Sequence, residues 1–345
     1  MTDLKLSERE IIKQQFRSFV DRVLKPTKFD TGCFGGVHQK YWVNIGDKEY
    51  MFKYNNGADD YSDFGEVFVS YLSFVLGYKC INATFCKDFF DNNEEFYKNN
   101  KSNYKIYGTL IESFRTPNVV ETISLTNLMK AYKKRYPAYG VTTWEVASIC
   151  ADYCYDNKIV YPKNLEQELK TMALLDYIFV QIDRGTNNIE FLIEEKHGKK
   201  YLKLAPMFDN GYCLHLVDVR ITQEMLESLN RRTIKFDRKF NPQPDFFIEK
   251  TSNPYDNDGR SIIPDLAAEL IRNKSLMKLF KSFENINIED EINFVCSLYS
   301  RELPQIKKDA INLSMKHRID MLKLEIIKQS IKGYGKNKNE CDFKL

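Results

Sequence analysis

The stretch LDYIFVQIDRGTNNIEFLIEEKHGKKYLKLAPMFDNGYC, residues 175–213, decides how this chain is read. Its apolar first third continues a helical pattern over Asn164–Ile182 that delivers Asp183. Asn188 follows five positions later, and a hairpin over Asn188–Pro206 leads on to Asp209. That order suits phosphoryl transfer, which needs a carboxylate to orient or receive a hydroxyl proton and oxygen ligands to hold Mg²⁺ against nucleotide phosphates. Asp183 fits the first need, and Asn188 and Asp209 fit the second. Standing alone, an Asp five residues before an Asn is a common string, equally explained by a helix-ending Asp and a turn Asn.

Working outward toward the N-terminus, a glycine cluster (Gly32, Gly35, Gly36) lies in DTGCFGGVHQ, residues 30–39. The pattern then predicts a hairpin: KYWVNI, a tight turn at Gly46–Asp47, and EYMFKY carrying Lys53 between apolar neighbours. A glycine-rich turn lets backbone N–H groups approach phosphates, and a strand lysine supplies them a fixed positive charge; the other reading of Lys53 is a surface lysine on an edge strand. Residues Ser62–Leu76 change period to a helix, with Ser62 as cap, Gly77 as stop, and Val67, Tyr71, Leu72, Val75 and Leu76 on one face. This helix carries Glu66, either the carboxylate partner of Lys53 or a solvated acid near the positive end of the helix dipole. The segment LIESF, residues 110–114, connects the two halves, where the backbone of Glu112 and Phe114 would meet adenine.

The remainder fills in an α+β architecture. A helix is predicted over Ser7–Leu24, and a polar insertion, FDNNEEFYKNNKSN at 90–103, separates two further strands, the second being KIYGTLIESF. From Val119 onward the chain reads as helix apart from the Asn188–Pro206 hairpin, ending in a long helix from Pro304 to Lys332 stopped by Gly333 and a loose tail. The expected organisation is a β-rich nucleotide-binding lobe with one main helix over residues 1–116, and a helical lobe with the catalytic loop and metal-binding hairpin over 117–345.

At this point the sequence resembles the HipA-like serine/threonine protein kinases, most nearly their small CtkA-type members. Four pieces carry the resemblance: G-C-F-G-G, Y-M-F-K-Y, I-E-S-F, and the pair D-R-G-T-N-N with L-A-P-M-F-D-N-G. It implies a two-lobed protein-kinase-like fold and transfer of the ATP γ-phosphate to a protein hydroxyl, with autophosphorylation among the expected activities. Asp183 would be the catalytic base, Asn188 and Asp209 the Mg²⁺ ligands, Lys53 the phosphate lysine paired with Glu66, and Glu112 and Phe114 the hinge. Gly185 stands where the family usually has His, which opens a pseudokinase reading. The Asp-Arg-Gly-x-x-Asn loop with its later Asp-Asn-Gly is also similar to type II phosphatidylinositol 4-kinases, the nearest enzymatic rival. The resemblance further implies a protein substrate and a DNA-binding antitoxin-type partner. It leaves secretion toward a host cell open.

Composition bounds these readings. The 345 residues are 43% hydrophobic and 29% charged, which excludes a disordered chain. A formal charge of +3 is too balanced for a dedicated nucleic-acid binder, so no direct nucleic-acid binding is expected. The basic run RRTIKFDRK at 231–239 reads as a solvated loop, and the four histidines sit in no metal or triad spacing. Eight scattered cysteines lack a C-x-x-C pair and are expected as reduced thiols; Cys150 and Cys154, four apart on a helix, read as core. The N-terminal residues lack the apolar core of a secretory signal and no apolar run is long enough to span a membrane, so a cytoplasmic protein is expected.

Overall fold

A computed structural model of the chain describes residues 6–23, 28–30, 40–55, 60–87, 107–132, 143–181, 184–214, 216, 263–299 and 301–341. Helix α1 (Leu6–Val23) is followed by a five-stranded antiparallel sheet built from β1 (Lys28–Asp30), β2 (Lys40–Ile45), β3 (Lys48–Tyr54), β4 (Ala83–Lys87) and β5 (Tyr107–Glu112). The strand order is β1-β2-β3-β5-β4. The expected hairpin closes at Gly46–Asp47 and sets Lys53 opposite Lys40 on β2 and Thr109 on β5. Because β3 is paired on both sides, Lys53 lies on an internal strand, and the edge-strand reading fails.

Between β3 and β4 the chain forms α2 (Ser62–Leu76), with the bounds its period predicts. Gly77 ends it at φ 69°, donating its N–H to the Ser73 carbonyl at 2.8 Å. Ser62 is not the cap: Tyr61 precedes the helix, and the Asp60 carboxylate accepts the Ser62 N–H at 2.9 Å. Nor is α2 buried on one face only, since every residue except Phe74 is enclosed. Strands β4 and β5 cover one side of it. On another lie α1 and the remote helix α8 (Ile288–Leu298).

Beyond the sheet the chain is mostly helical, with one correction. Val119–Ser124 forms a strand, β6, which pairs antiparallel with β7 (Glu190–Lys196); β7 in turn pairs with β8 (Lys199–Leu204). The β-branched residues Val119, Val120, Thr122 and Ile123 suit a pleated surface, and the open edge of β7 supplies the hydrogen bonds. The helices are α3 (Leu125–Tyr132), α4 (Thr143–Asp156), α5 (Leu165–Ile178), α6 (Ile263–Arg272), α7 (Lys274–Glu284), α8 and α9 (Gln305–Cys341). Helix α5 stops at Ile178 rather than Ile182, because Val180 turns the chain through a left-handed φ of 51°. Helix α9 does not stop at Gly333 but runs through it to Cys341, so most of the expected tail is helical.

Cys150 and Cys154 are core thiols on α4, and burial pushes the Cys154 thiol up to about 11. A continuous hydrophobic core runs from Phe16 of α1 through α2 and the α5 helix to Leu322 of α9. None of the described helices is long and apolar enough to cross a membrane. The polar insertion at 90–103, the run at 231–239, His38 and His215 lie outside the described residues.

Candidate active site

Three charged side chains from remote parts of the sequence meet beneath the sheet. Lys53 Nζ donates to Glu66 Oε1 of α2 at 2.9 Å and to Asp209 Oδ1. Lys53 and Glu66 are 2% and 1% exposed, so the solvated reading of Glu66 is also set aside. Burial alone would lower the Lys53 pKa, but the two facing carboxylates outweigh it and hold the ammonium above its ordinary value. For Asp209 burial pushes upward, while Lys53, Lys40 and Arg184 together hold its carboxyl below the usual range. The site therefore presents a fixed cation and an ionised acid at neutral pH.

The Asp209 backbone adopts a left-handed φ of 56°, a strained conformation for a non-glycine residue that a set of contacts holds in place. Gln181 Nε2 donates to the Asp209 carbonyl at 3.1 Å, and the next N–H, of Asn210, donates to Glu66 Oε2 at 2.8 Å. Glu66 thus reaches both Lys53 and the turn that carries Asp209. Close packing makes this possible. A Cβ added at Gly65 would stand 3.1 Å from the Asn210 carbonyl oxygen, and one at Gly211 would stand 2.9 Å from Ser62 Cβ. Only glycine at both positions lets α2 lie directly on the Asp-Asn-Gly turn.

Arg184 ties this turn to the 184–188 loop. Its side chain is fully buried. The guanidinium donates to Asp176 of α5 at 3.2–3.3 Å, to Asn210 Oδ1 at 2.6 Å, to the Asn188 carbonyl at 3.3 Å and to the Phe208 carbonyl. Burial raises the Asp176 carboxyl to about 6, with Arg184 opposing it. Asn188 closes a short 3-10 turn, Thr186–Asn188, by donating its N–H to the Gly185 carbonyl at 2.9 Å. Among the described residues, a Cβ at Gly185 would meet nothing within 4 Å, so their packing does not account for the absence of His there.

Asn188 and Asp209 line a cavity of about 250 Å³ that extends to Glu112, Ser113 and Phe114 at the end of β5, with Trp42, Met51 and Ile111 supplying apolar wall. The Glu112 N–H donates to the Asn82 carbonyl at 2.8 Å, and its carboxylate accepts from Asn82 Nδ2 at 2.7 Å and from Lys48. Of the residues singled out in the sequence, Lys53, Glu66 and Asp209 are brought into contact, and Asn188, Glu112 and Phe114 share the cavity that Asp209 lines. Gly32, Gly35, Gly36 and Asp183 lie outside the described residues. Sequence reasoning missed the roles of Arg184, Asp176, Gln181, Gly65 and Gly211. The one available signal was a pair of polar residues, Asp176 and Gln181, inside an otherwise apolar run.

No protein-family model matches this sequence, and no curated protein matches it. Among solved structures, the chain is similar to the proinflammatory kinase CtkA of Helicobacter pylori, with a TM-score of 0.56 and 17% identity over 87% of this chain and 96% of that one. It also matches a chain of the toxin–antitoxin complex of HipA, HipB and operator DNA from Shewanella oneidensis, with a TM-score of 0.47 and 14% identity over 90% of this chain and 70% of that one. The likeness to CtkA agrees with the resemblance carried by the sequence motifs, and the chain has the two-lobed α+β fold of that kinase.

Proposed function

We propose that this protein is an ATP- and Mg²⁺-dependent kinase that transfers the γ-phosphate to a serine or threonine hydroxyl of a protein, itself included. The observation that carries the reading is the buried Lys53–Glu66–Asp209 constellation, whose Asp209 lines a cavity together with Asn188. A lysine held charged between two acids suits a phosphate-bearing ligand. The donor set fits the metal: Asn188 and ionised Asp209 offer the hard oxygen ligands that Mg²⁺ takes, leaving other positions to phosphate oxygens and water. When bound, Mg²⁺ neutralises charge on the phosphates.

The chain's own residues do the rest. Lys53 fixes the position of the phosphates, Glu66 fixes Lys53, and Arg184 holds the 184–188 loop against the Asp209 turn so that both metal ligands keep their spacing. Asp183, one residue before Arg184, is assigned to orient the acceptor hydroxyl and take its proton. Residues 1–116 form the nucleotide-binding lobe in this reading and 117–345 the helical lobe with the catalytic loop and metal-binding hairpin, with Glu112 and Phe114 at the hinge.

The test is incubation of purified protein with ATP labelled at the γ-phosphate and Mg²⁺, wild type beside Asp209→Ala, with label followed on gels and in lipid extracts. Protein label that disappears in Asp209→Ala is the expected result. Label on phosphoinositide instead of protein transfers the assignment to a lipid kinase. The absence of both labels, together with no rise in melting temperature on adding MgATP, removes the kinase reading.

A further inference from the structure

The residues on either side of Asn188 are both fastened to the start of α3. Ahead of it, the Thr126 hydroxyl lies 2.6 Å from Thr186 Oγ1 and 2.7 Å from Asn187 Oδ1. Behind it, the Ile189 carbonyl accepts the Leu125 N–H at 2.9 Å. Thr126 has one proton to give and Asn187 Oδ1 can only accept, so the bonds run in one direction: Thr186 donates to Thr126, and Thr126 donates to Asn187. The turn needs such support. It spans three residues, Thr186–Asn188, and is closed by the Asn188 N–H donating to the Gly185 carbonyl. A 3-10 turn this short has little stability of its own, and the glycine ahead of it adds backbone freedom while offering no side chain as a cap.

Arg184 reaches the Asn188 carbonyl at 3.3 Å and ties it to the Asp209 turn, but it leaves Thr186 and Asn187 to α3. We propose that Thr126 is a positioning residue for the metal: its hydroxyl holds the 186–188 turn so that Asn188 keeps its place as a ligand. The inference rests on the metal-binding reading above and goes beyond it by naming the helix, and the side chain on it, that fixes one of the two ligands. Mg²⁺ demands near-ideal octahedral geometry at about 2.1 Å and tolerates little displacement of a ligand, whereas Ca²⁺ accepts longer and less regular bonds. A turn loosened at Thr126 therefore shows itself as a loss of affinity for Mg²⁺ that exceeds the loss for Ca²⁺.

Two substitutions in the full chain separate the hydroxyl from the shape of the side chain: Thr126→Val keeps the shape and removes the hydroxyl, and Thr126→Ser keeps the hydroxyl. Hydrogen exchange read by NMR on the protein without ligand or metal tests the hold on the turn. The Asn188 amide should exchange about 5- to 10-fold faster in Thr126→Val than in wild type, the worth of one ordinary hydrogen bond, and at the wild-type rate in Thr126→Ser. Calorimetric titration with the ATP analogue whose β–γ bridge is an imido group, repeated across a range of free Mg²⁺ and then of free Ca²⁺, tests the consequence. In Thr126→Val the Mg²⁺ concentration at half-effect should rise about 10-fold, the usual cost of losing a group that orients a metal ligand. The rise for Ca²⁺ should be smaller, affinity for the analogue without metal should be unchanged, and Thr126→Ser should behave as wild type. An unchanged Mg²⁺ midpoint in Thr126→Val overturns the proposal, as does an equal loss of affinity with and without metal, an unaltered exchange rate at Asn188, or a serine variant that behaves like the valine one. If the affinity of wild type for the analogue does not depend on Mg²⁺, the metal reading itself falls and the role of Thr126 with it, an outcome visible before any variant is compared.

Discussion

At the scale of single residues, the decisive feature is that Lys53 pairs with two carboxylates, its own side chain and that of Glu66 being buried. Removing one partner of such a group leaves the others charged and unpaired, which typically costs about 3–5 kcal/mol, whereas replacing the whole set by apolar residues is often nearly neutral. Lys53→Met should therefore lower the free energy of unfolding by about 3–5 kcal/mol in urea titration, and adding Glu66→Met should restore part of that loss rather than add to it. Additive losses in the double variant would mean that the two side chains do not interact as described. Both variants should lose MgATP binding. The sequence left Lys53 and Glu66 ambiguous, because a strand lysine and a helix-start glutamate look the same on a surface and in a buried pair. What resolves them is the internal place of β3, set by a β5 strand that arrives more than fifty residues later. Arg184 was visible beside Asp183, but its four partners come from α5, the 184–188 loop and the Asp209 turn, and their meeting is a property of the fold.

At the scale of elements, α2 is the piece whose placement matters most, and glycine governs it. Gly65→Ala brings two opposed effects: alanine favours the helix by about 1 kcal/mol over glycine, while its Cβ meets the Asn210 and Gly211 carbonyl oxygens and Cys213 Sγ at 3.1–3.2 Å. Those oxygens belong to the turn that presents Asp209, so relief comes by moving α2 or the turn. Gly65→Ala should change stability by less than about 1 kcal/mol yet reduce phosphate transfer at least tenfold, measured by initial rates at saturating MgATP. Unchanged rates would show that the contact is not needed for alignment. Locally determined elements were the legible ones: the 40–54 hairpin and α2 appear with their expected bounds because turn residues and helical period fix them. Strand β6 was read as helix because its pairing partner, β7, lies about seventy residues away. The enclosure of α2 on all sides was equally invisible, since α1 and α8 cover it from the two ends of the chain. Gly333 failed as a helix stop because one glycine inside a long helix costs only about 1 kcal/mol.

At the scale of the whole molecule, the C-terminal half is fastened to α2 and to the residues just before it by polar contacts that are buried or partly buried. Tyr299 donates its hydroxyl to the Asp63 carboxylate at 2.8 Å, Tyr71 donates to Glu291, and Arg301 donates to the Asp60 carbonyl at 2.9 Å. The continuous core and these ties make the chain one cooperative unit, so a titration anywhere in it is felt in global stability. Burial raises the Asp63 carboxyl from 3.8 to about 6, against the opposing effects of Asn55, Arg301, Tyr299 and the Phe64 N–H. A group whose pKa is higher in the folded state contributes stability below its unfolded pKa and loses it as pH rises through the folded value. Asp176, raised to about 6 by burial, acts in the same direction. Asp209, held down by its cations, acts in the opposite direction, but its contribution is complete above the ordinary Asp pKa of 3.8 and changes little between pH 4 and 6. These three acids together should therefore cost stability as pH rises from 4 to 6. Asp63 accounts for about 2 kcal/mol of that loss, because each tenfold gain in proton affinity on folding is worth about 1.4 kcal/mol and part of the gain is titrated outside this interval. Asp63→Asn keeps an acceptor for Tyr299 and cannot ionise, so the difference in urea-unfolding free energy between wild type and variant should move in the variant's favour over that interval. A difference that stays constant with pH would mean that Asp63 ionises normally, and that the Tyr299 tie carries no cost of charge burial.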